Sequence, residues 1–345
     1  MTELAKGNLL EADAEALVNT VNSVGVMGKG IALQFKQAFP ENFRAYAAAC
    51  GRGEVQPGRM FVFHTNAFAS PRLIINFPTK RHWKGKSRME DIESGLSALV
   101  DVIRSENVTS VAIPPLGCGS GGLKWGDVRP RIEAAFASLP HVKVFLYYAP
   151  EGAPPPERMK VATERPSMTP GRAAILGLMS KYAVPGYRLT LLEIQKLAYF
   201  LQNAGENLKL DFQKQKFGPY SEKLHYVLQR MEGHLIRGYG DRSRNVSVVH
   251  LPGAADEARE FLQSQHETEE RFERVAELID GFETPYGLEL LATVHWVADQ
   301  EDPQAKSDSE AAVRGVHGWS EHKRETFRPE HIRAAWSRLH GQGWL

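Results

Sequence analysis

The first half of the chain alternates short apolar runs with longer amphipathic ones, which is the pattern of strands followed by helices. Apolar runs predict strands over residues 16–20, 60–65, 73–77, 110–113 and 142–148, and helical periodicity predicts helices over residues 31–49, 89–106 and 129–138. This alternation predicts a three-layer α/β domain with a mixed sheet. Ligands of such sheets bind in the crevice outside the strand ends.

The second half has a different pattern. Residues 151–170 contain Pro154, Pro155, Pro156, Pro166 and Pro170 and few apolar residues, which predicts a linker. Beyond it, Thr190 and Glu193 form a capping-box pair ahead of a helix that ends near Gly205, and further helices are predicted over residues 220–231, 258–279, 286–298 and 329–339. We therefore expect a first domain over residues 1–150 and a mainly helical, winged-helix-like second domain over residues 171–345.

A glycine-rich stretch joins the first predicted strand to the first helix. Residues 17–35 read LVNTVNSVGVMGKGIALQF. Glycines let a ligand approach the backbone, and the free N–H groups at the start of a helix favour an anion, so this junction is a candidate phosphate site. It matches neither the dinucleotide fingerprint GxGxxG nor the Walker loop. Considered alone, the stretch is explained equally well by a plain turn.

A second glycine-rich stretch has the same placement. Residues 114–123, PPLGCGSGGL, follow the predicted strand at 110–113 and lead to a helix beginning near Asp127. Two glycine loops at neighbouring strand ends can hold a diphosphate between them. The pair is more specific than either loop alone, and it favours a phosphate site over two unrelated turns.

Composition limits the other possibilities. A chain of 345 residues suffices for two domains, and its net charge of +1 means that any nucleic acid must be bound by a local patch. Cys50 and Cys118 form neither a disulfide framework nor a metal-ligand pattern. The chain starts without an apolar signal region and has no run of membrane-spanning length. We expect a cytoplasmic protein with no metal, no cofactor and no membrane partner.

The motifs of the first half resemble those of macrodomains, the ADP-ribose-binding fold. The resemblance covers about residues 1–150 and is carried by residues 7–10 (GNLL), 19–23 (NTVNS), 28–32 (GKGIA) and 115–123. Within that fold the chain is similar to the DarG-like branch, on the stretches 26–32 followed by Phe35 and Lys36, 76–80 (NFPTK) and 116–125. Members of this branch are antitoxins that remove ADP-ribose from thymidine bases of DNA. The resemblance implies three partners: ADP-ribosylated single-stranded DNA, ADP-ribose and a cognate DarT-like toxin.

The resemblance also implies the site residues. Lys80 matches the catalytic lysine of the branch; without the resemblance it reads as a solvated lysine at a strand end. Asn22 is expected to hydrogen-bond the distal ribose and to assist catalysis, and its alternative is a turn-forming asparagine. The residues expected to bind ADP-ribose are Asn8, Leu9, Asn19, Thr20, Asn22, Gly28, Lys29, Gly30, Ile31, Thr79, Pro115, Gly117, Cys118, Gly119, Ser120, Gly121, Gly122 and Leu123. Cys118 is expected to pack rather than to act as a nucleophile.

Two chemical routes are open for Lys80. Burial and the neighbouring cations Arg81, Lys84, Lys86 and Arg88 are expected to lower the pKa of the amine. A neutral amine can attack the anomeric carbon of the distal ribose and form a Schiff base, whereas a charged one can stabilise the departing thymine. Related covalent enzymes carry an acidic residue in the second glycine loop, but residues 119–122 read GSGG. That departure puts the covalent route in doubt, or leaves its acid-base role to water or to Asn22.

The run KRHWKGKSR, residues 80–88, places an aromatic among cations. Cations can contact DNA phosphates while an aromatic ring stacks on an unpaired base. We expect Arg81, Trp83, Lys84 and Lys86 to contact DNA, and the alternative is a solvated basic loop.

The second half contains no catalytic constellation. Residues 192–202 and 217–220 resemble the Panacea-type antitoxin domain, and Trp296, Trp319, Trp336 and Trp344 are expected to belong to a core. Carboxylates recur after Leu251, opposed only by Arg259, Arg271 and Arg274, so this domain is expected to fill the basic groove of the toxin. A solvated acidic helix is the alternative. The rival function for the whole chain is a non-catalytic ADP-ribose reader with a DNA-binding regulatory tail, which would have no need of Lys80.

Overall fold

The chain forms two compact units. The computed structural model describes residues 2–65, 70–148, 159–182, 187–242 and 246–345. One unit comprises Met1–Glu164 with Gly240–Arg244, and the other comprises Arg165–Tyr239 with Asn245–Leu345. Residues 154–156 of the predicted linker lie outside the described residues.

The first unit is built on a mixed sheet. Its strands are β1 (Thr2–Ala5), β2 (Ala16–Asn22), β3 (Phe61–His64), β4 (Leu73–Lys80), β5 (Ser110–Ile113) and β6 (Lys143–Tyr147). They lie in the order β1-β6-β5-β2-β4-β3, and all neighbours are parallel except β3, which is antiparallel to β4. The mixed sheet is confirmed. Strand β1 was missed because its residues, TELA, form no apolar run.

Helices cover both faces of this sheet. They are α1 (Gly30–Ala38), α2 (Pro40–Gly51), α3 (Met89–Ser105) and α4 (Trp125–Phe136). Alternate strand residues enter different cores: Val18 packs with α3 and α4, whereas Leu17 and Val21 pack on the side of α1 and α2. This alternation follows from the two-residue period of a strand. The predicted three-layer arrangement is therefore confirmed.

The single helix predicted over residues 31–49 is wrong, because α1 and α2 are separate. The chain leaves helical geometry at Phe39, with φ −134° and ψ 70°, and Pro40 begins α2. A proline disfavours helical geometry in the residue before it, yet it fits the first turn of a helix, where its missing N–H is not needed. The break at Pro40 thus has a local cause that apolar periodicity does not show.

Helix α3 packs closely on β4 because residue 95 is glycine. A Cβ atom added to Gly95 would lie 2.3 Å from Cζ of Phe77. Phe77 is fully buried, and Lys80 follows it at the end of β4. The close approach therefore fixes the strand end that carries Lys80.

The second unit is mainly helical, as predicted. Its helices are α5 (Pro170–Tyr182), α6 (Leu191–Asn203), α7 (Leu224–Met231), α8 (Ala254–Gln263), α9 (His266–Ile279), α10 (Pro285–Trp296), α11 (Ser309–Trp319), α12 (Glu321–Thr326) and α13 (Pro329–Gly341). Its short strands are β7 (Leu189–Thr190), β8 (Gln213–Gln215), β9 (Gly218–Tyr220), β10 (Ile236–Arg237) and β11 (Ser247–His250). None of the described helices is both long enough and apolar enough to cross a membrane.

Local signals account for parts of this unit. The capping box of Thr190 and Glu193 is present at the start of α6. The helix predicted over residues 258–279 is wrong as one element, because α8 ends at Gln263 and α9 begins at His266. The four tryptophans are core residues as predicted: Trp344 is buried, and Trp296, Trp319 and Trp336 pack against the same core.

A buried charged cluster lies in the core of the second unit. Lys323 is fully buried, and its ammonium donates to Oε1 of Glu289 at 2.6 Å and to Oγ1 of Thr293 at 3.0 Å. Lys196 is 1% exposed, and its Nζ donates to the carbonyl of Pro219 at 2.6 Å. Burial, reinforced by the charge of Lys323 and opposed by Glu289, lowers the pKa of Lys196 to about 7. The cluster therefore holds one more lysine than its carboxylate can neutralise.

We predict that Lys196→Met stabilises the second unit near neutral pH. The pKa of Lys196 is about 7 when folded and 10.5 when exposed, so the unfolded state holds the extra proton between these values and the parent gains stability as pH rises through them. Removing the amine should add roughly 2 kcal/mol at pH 7, less at pH 10, and flatten the pH profile. Denaturant unfolding followed by tryptophan fluorescence measures this.

Lys323→Met is the matched control for this prediction. It removes a lysine of equal size from the same cluster but leaves the Glu289 carboxylate buried without its cation, so it should destabilise the unit. Equal destabilisation by both substitutions would contradict the charge imbalance.

Candidate active site

Strands β2 and β4 place Asn22 beside Lys80. The register pairs Val21 with Pro78 and then Asn22 with Lys80, so that Thr79 has no partner on β2. An extra residue of this kind is a bulge, and bulges redirect the side chains that follow. With regular pairing Asn22 would lie beside Thr79, and Lys80 would point to the opposite face. The bulge therefore brings the two predicted catalytic residues to neighbouring positions.

The amide of Asn22 organises the first glycine loop, residues 23–29. Its Nδ2 donates to the carbonyl of Val26 at 2.6 Å, and its Oδ1 accepts from the N–H groups of Val24 at 3.0 Å and Val26 at 3.3 Å. The hydroxyl of Tyr46 donates to the carbonyl of Asn22 at 2.6 Å. These bonds are those of a turn-forming asparagine, the alternative weighed from sequence. Contact between Asn22 and a ribose stays a prediction.

The first glycine loop ends at the start of α1. Gly28 and Lys29 have backbone N–H groups without a hydrogen-bond partner among the described residues. The N–H of Gly30 donates to the carbonyl of Asp241, which belongs to the same compact unit. Ile31 faces the core that contains Phe35, so its backbone rather than its side chain is available to a ligand.

The second glycine loop, residues 114–124, is held by its own backbone. Cys118, Gly122 and Leu123 donate their N–H groups to the carbonyls of Pro115, Gly119 and Gly117 at 3.1 Å each. Gly117 and Gly122 have φ values of +71° and +83°, which an L side chain rarely adopts. The loop is therefore a defined turn structure that requires glycine at these positions.

Three successive N–H groups of this loop are free. Those of Gly119, Ser120 and Gly121 have no hydrogen-bond partner within the described part of the chain. Gly119 and Ser120 are exposed, and a Cβ atom on Gly119 would meet nothing within 4 Å. Consecutive unpaired amides form a concave donor set for an anion such as a phosphate.

Lys80 is hydrogen-bonded to the same loop. Its Nζ donates to the carbonyl of Ser120 at 2.8 Å. Partial burial, and secondarily the charge of Lys86, lower the pKa of Lys80 below its usual range. Neither lysine has a carboxylate within ion-pair distance among the described residues. The site thus places an amine of reduced basicity next to an anion-binding turn.

The basic run after Lys80 divides into parts with different contacts. The guanidinium of Arg81 makes two bonds to the Asp91 carboxylate, at 2.6 and 2.9 Å, which tie the strand end to α3. Trp83 is 50% exposed, and the Nζ of Lys84 lies 5.0 Å from its ring centroid. Trp83 and Lys84 therefore form an exposed surface, whereas Arg81 has a structural partner.

Several predicted ligand residues are buried. Asn19 is fully buried, and its Nδ2 donates to Oδ1 of Asn76 at 2.9 Å; Asn76 in turn donates to Oδ1 of Asn42 at 2.7 Å. Oδ1 of Asn8 accepts from the N–H of Leu10 at 3.1 Å, and Leu9 packs in a core. Ligand contacts of Asn8, Leu9 and Asn19 stay predictions. Because these side chains are buried, such contacts would be made by the backbone.

The other predicted residues lie at the rim or behind it. Thr20 is half-buried on β2, and the hydroxyl of Thr79 donates to the carbonyl of Val21 at 3.4 Å. Burial, with a smaller effect of Asp127, raises the pKa of the Cys118 thiol to about 11. A thiol of such low acidity that packs against the core fits a packing role.

Sequence reasoning missed Ser87 and the bulge at Thr79. Ser87 is buried under the second glycine loop: its N–H donates to the carbonyl of Gly121 at 3.1 Å. Its Oγ would lie 2.3 Å from a Cβ atom on Gly121. A serine in a basic run carries no local signal of this contact, because only the tertiary fold brings residues 87 and 121 together.

Comparison with known proteins finds relatives of the first unit and of the whole chain. The family model of the macro domain matches residues 18–132. The DNA ADP-ribosyl glycohydrolase of Thermus aquaticus is 49% identical over 346 residues, which cover 100% of this chain and 94% of that protein. A DNA ADP-ribosyl transferase-DNA ADP-ribosyl glycohydrolase fusion protein of Thermosipho africanus is 35% identical over 142 residues, 37% of each chain. The solved macrodomain of Mycobacterium tuberculosis DarG is 56% identical, covers 43% of this chain and 98% of its own, and has a TM-score of 0.43.

The mixed sheet and the match to the macro domain model make the first unit a macrodomain, as expected from the sequence. The Thermus aquaticus relative matches the whole of this chain and therefore extends the family assignment from the first unit to the entire chain. The chain belongs to the family of the DNA ADP-ribosyl glycohydrolases, and it is a hydrolase.

We predict different effects for two alanine substitutions in the second glycine loop. A Cβ atom at Gly121 would lie 2.2 Å from the carbonyl oxygen of Gly117 and 2.3 Å from Oγ of Ser87, so Gly121→Ala should distort the loop and lower the melting temperature. Gly119→Ala meets nothing within 4 Å, so the fold should be unchanged while ADP-ribose binding weakens, because the methyl group would enter the open space beside the free N–H groups, where we expect the ligand. Calorimetric titration and thermal melting measure both effects.

The two variants control for each other, because they make the same change two residues apart. Unchanged ADP-ribose affinity in both would contradict the assignment of this loop to the ligand.

Proposed function

We propose that the chain releases ADP-ribose from thymidine bases of single-stranded DNA by hydrolysing the N-glycosidic bond, with Lys80 as the catalytic residue. The observation that carries the proposal is the arrangement of the second glycine loop. Its free N–H groups at residues 119–121 lie next to the amine of Lys80, which is hydrogen-bonded to the carbonyl of Ser120. The loop suits the diphosphate, and the amine then lies near the sugar attached to it. The names of the relatives, DNA ADP-ribosyl glycohydrolases, support the reaction class.

The lowered pKa of Lys80 favours a neutral amine, because partial burial and, secondarily, the charge of Lys86 disfavour the ammonium. The carbonyl of Ser120 accepts one N–H and orients the amine, and it stabilises the ammonium less than a carboxylate would. The neutral amine can then form a bond from nitrogen to the anomeric carbon as the bond to thymine breaks. The electron pair goes to the base, and the proton lost by the amine reaches that base through water. Hydrolysis of the lysine adduct by water frees ADP-ribose and regenerates Lys80.

The exposed surface of Trp83 and Lys84 suits the DNA strand that carries the modified base. An exposed indole ring can stack on an unpaired neighbouring base, and the ammonium over it can contact a phosphate. Lys86 lies on the side of the second glycine loop and is also placed to contact a phosphate. Arg81, also predicted to contact DNA, is exposed and pairs with Asp91, which holds the segment in place.

The rival function is a macrodomain that binds ADP-ribose without cleaving it. The glycine loops alone would serve such a reader. The position of Lys80 disfavours this alternative. Its Nζ donates to the carbonyl of Ser120 at 2.8 Å, and binding the diphosphate does not require an amine of lowered pKa at that place.

We predict that Lys80→Ala abolishes the release of ADP-ribose from a modified thymidine oligonucleotide while ADP-ribose affinity stays within several-fold. The reason is that the loop amides supply most of the affinity and Lys80 acts on the bond that breaks. Chromatography of free ADP-ribose and of the DNA measures the turnover.

Lys143→Ala is the matched control for Lys80→Ala. Lys143 is exposed at the first residue of β6, the end of the strand opposite the glycine loops, so its loss should leave turnover unchanged. Parent-level turnover by Lys80→Ala would refute the catalytic assignment.

For the second unit we propose that it binds the cognate DNA ADP-ribosyltransferase toxin. The joined transferase and glycohydrolase of the Thermosipho africanus relative support such a partner. The acidic residues predicted for this role are Asp256, Glu257, Glu260, Glu267, Glu269, Glu270, Glu273, Glu277, Asp280, Glu283, Glu289, Asp299, Glu301 and Asp302. The expectation that only three arginines oppose them is wrong, because Arg165, Lys181, Lys323, Lys306 and Lys214 also pair with members of the set.

The acidic surface is therefore smaller than the sequence suggested. Glu277 lies in the last turn of α9, and Asp280 and Glu283 follow that helix. All three are exposed and lack an ion pair within the described residues, and they border a cavity of about 230 Å³ that Lys181, Tyr182 and Ile279 also line. Carboxylates held at a helix end lose little entropy on binding a basic groove. We place the toxin contact at these three carboxylates, the acidic edge of α9.

We predict that reversing Glu277, Asp280 and Glu283 together to lysine weakens toxin binding at least tenfold and removes its salt dependence, because exposed charges act at long range and are screened by salt. Binding kinetics of the full-length protein at several salt concentrations measure this. Reversal of Glu321, Glu325 and Glu330, which are exposed on α12 and α13, makes the same change in net charge and should leave most of the affinity. A larger loss in that control would contradict the acidic edge.

A further inference from the structure

The segment that follows Lys80 returns to the second glycine loop. Ser87 donates its N–H to the carbonyl of Gly121 at 3.1 Å, and Nζ and Cδ of Lys86 lie 3.4 Å from the position of a Cβ atom on Gly122. Lys80 reaches the same loop at the carbonyl of Ser120. Two ammonium-bearing side chains from one segment thus meet a single loop two residues apart.

Lys86 differs from the other cations of the run. Arg81 is neutralised by Asp91, Lys84 lies over the ring of Trp83, and Arg88 precedes α3, where its side chain makes no cap bond. Lys86 has neither a carboxylate partner in the described residues nor a ring beneath it. Its charge therefore acts on the loop and on Lys80 without local compensation.

The neighbouring elements carry charges of both signs. The cations are Lys29 in the first glycine loop and Lys124 at the end of the second; the carboxylates are Glu90, Asp91 and Glu93 on α3, Asp127 on α4 and Asp241 beside Gly30. Glu93 pairs with Arg131, and Asp241 accepts from Nε2 of Gln34. Asp91 is engaged by Arg81, and Asp127 acts on the thiol of Cys118. Residues 114–123 contain no charged side chain. The lowered pKa of Lys80 follows from burial first and from Lys86 second.

We propose that Lys86 is a positioning residue that shifts the protonation of Lys80: its ammonium, placed beside the second glycine loop, adds charge repulsion to the effect of burial and so favours the neutral amine. The proposal rests on the proposed function of Lys80. It also gives a way to favour the neutral amine in a loop that has no carboxylate. A carboxylate there would accept a proton, whereas a second cation repels one.

The first test is the pH dependence of kcat/KM with ADP-ribosylated oligonucleotide, which reports groups of the free enzyme. Lys86→Met should move the acidic limb of the profile to higher pH and lower the rate several-fold near neutrality, whereas Lys86→Arg, which keeps the charge, should restore the parent limb. A raised KM with an unmoved limb would show that Lys86 only binds substrate, and that outcome overturns the proposal.

The second test does not depend on turnover. Acylation of Lys80 by a small anhydride, followed over pH by peptide mass spectrometry, reports the fraction of neutral amine. In Lys86→Met the labelling curve of Lys80 should shift to higher pH; in Lys84→Met, whose ammonium lies over Trp83, it should stay in place. An unshifted curve in Lys86→Met refutes the coupling. If Lys80→Ala kept its activity while the labelling curve of Lys80 shifted in Lys86→Met, the proposed function would be refuted and the coupling between the two lysines would stand.

Discussion

The arrangement of the site depends on the pairing of β2 with β4. Lys80 differs from an ordinary surface lysine because of where this pairing ends: the bulge at Thr79 puts Asn22 and Lys80 at neighbouring positions. The pairing is supported from within by the buried amides of Asn19 and Asn76, which join the two strands by a hydrogen bond of 2.9 Å. This bond favours the observed register, since a shifted pairing would break it and leave the buried Nδ2 of Asn19 without its amide acceptor.

The glycine loops are built from this register outward. Asn22 uses both ends of its amide to shape the first loop, and Lys80 donates to the second. The strand ends therefore shape the two loops at which we propose that the ligand binds. This division explains why a fully buried residue such as Asn19 lies in a motif typical of ligand binding: its contribution is to hold the strands, while backbone N–H groups further along the chain are free for an anion.

The two units differ in how their charged groups are arranged. In the first unit the cations stand near a loop with free amides, where unpaired positive charge can serve a polyanionic substrate. In the second unit seven of the fourteen carboxylates named above have lysine or arginine partners. Exposed ion pairs contribute little stability, but they reduce the unpaired acidity to fewer positions, among them Glu277, Asp280 and Glu283 at and just after the end of α9.

Local sequence determined the elements whose signals lie within a few residues. The strand at Ser110–Ile113, the capping box of Thr190 and Glu193, and the positions of both glycine loops follow from apolar runs, side-chain caps and glycine spacing. The family also followed from short motifs. Boundaries were less certain where a single residue overrides periodicity, as at Pro40.

Tertiary structure alone decided how these elements meet. The bulge at Thr79, the contact of Ser87 with Gly121 and the pairing of Lys323 with Glu289 join residues that are far apart in the chain or depend on strand register. No local propensity encodes such contacts, because their energies exist only after the sheet and the helices have packed. For the same reason the cations after Lys80 look alike in the sequence but have different contacts in the structure. Arg81 pairs with Asp91, Lys84 lies over Trp83, and Lys86 lies beside Gly122.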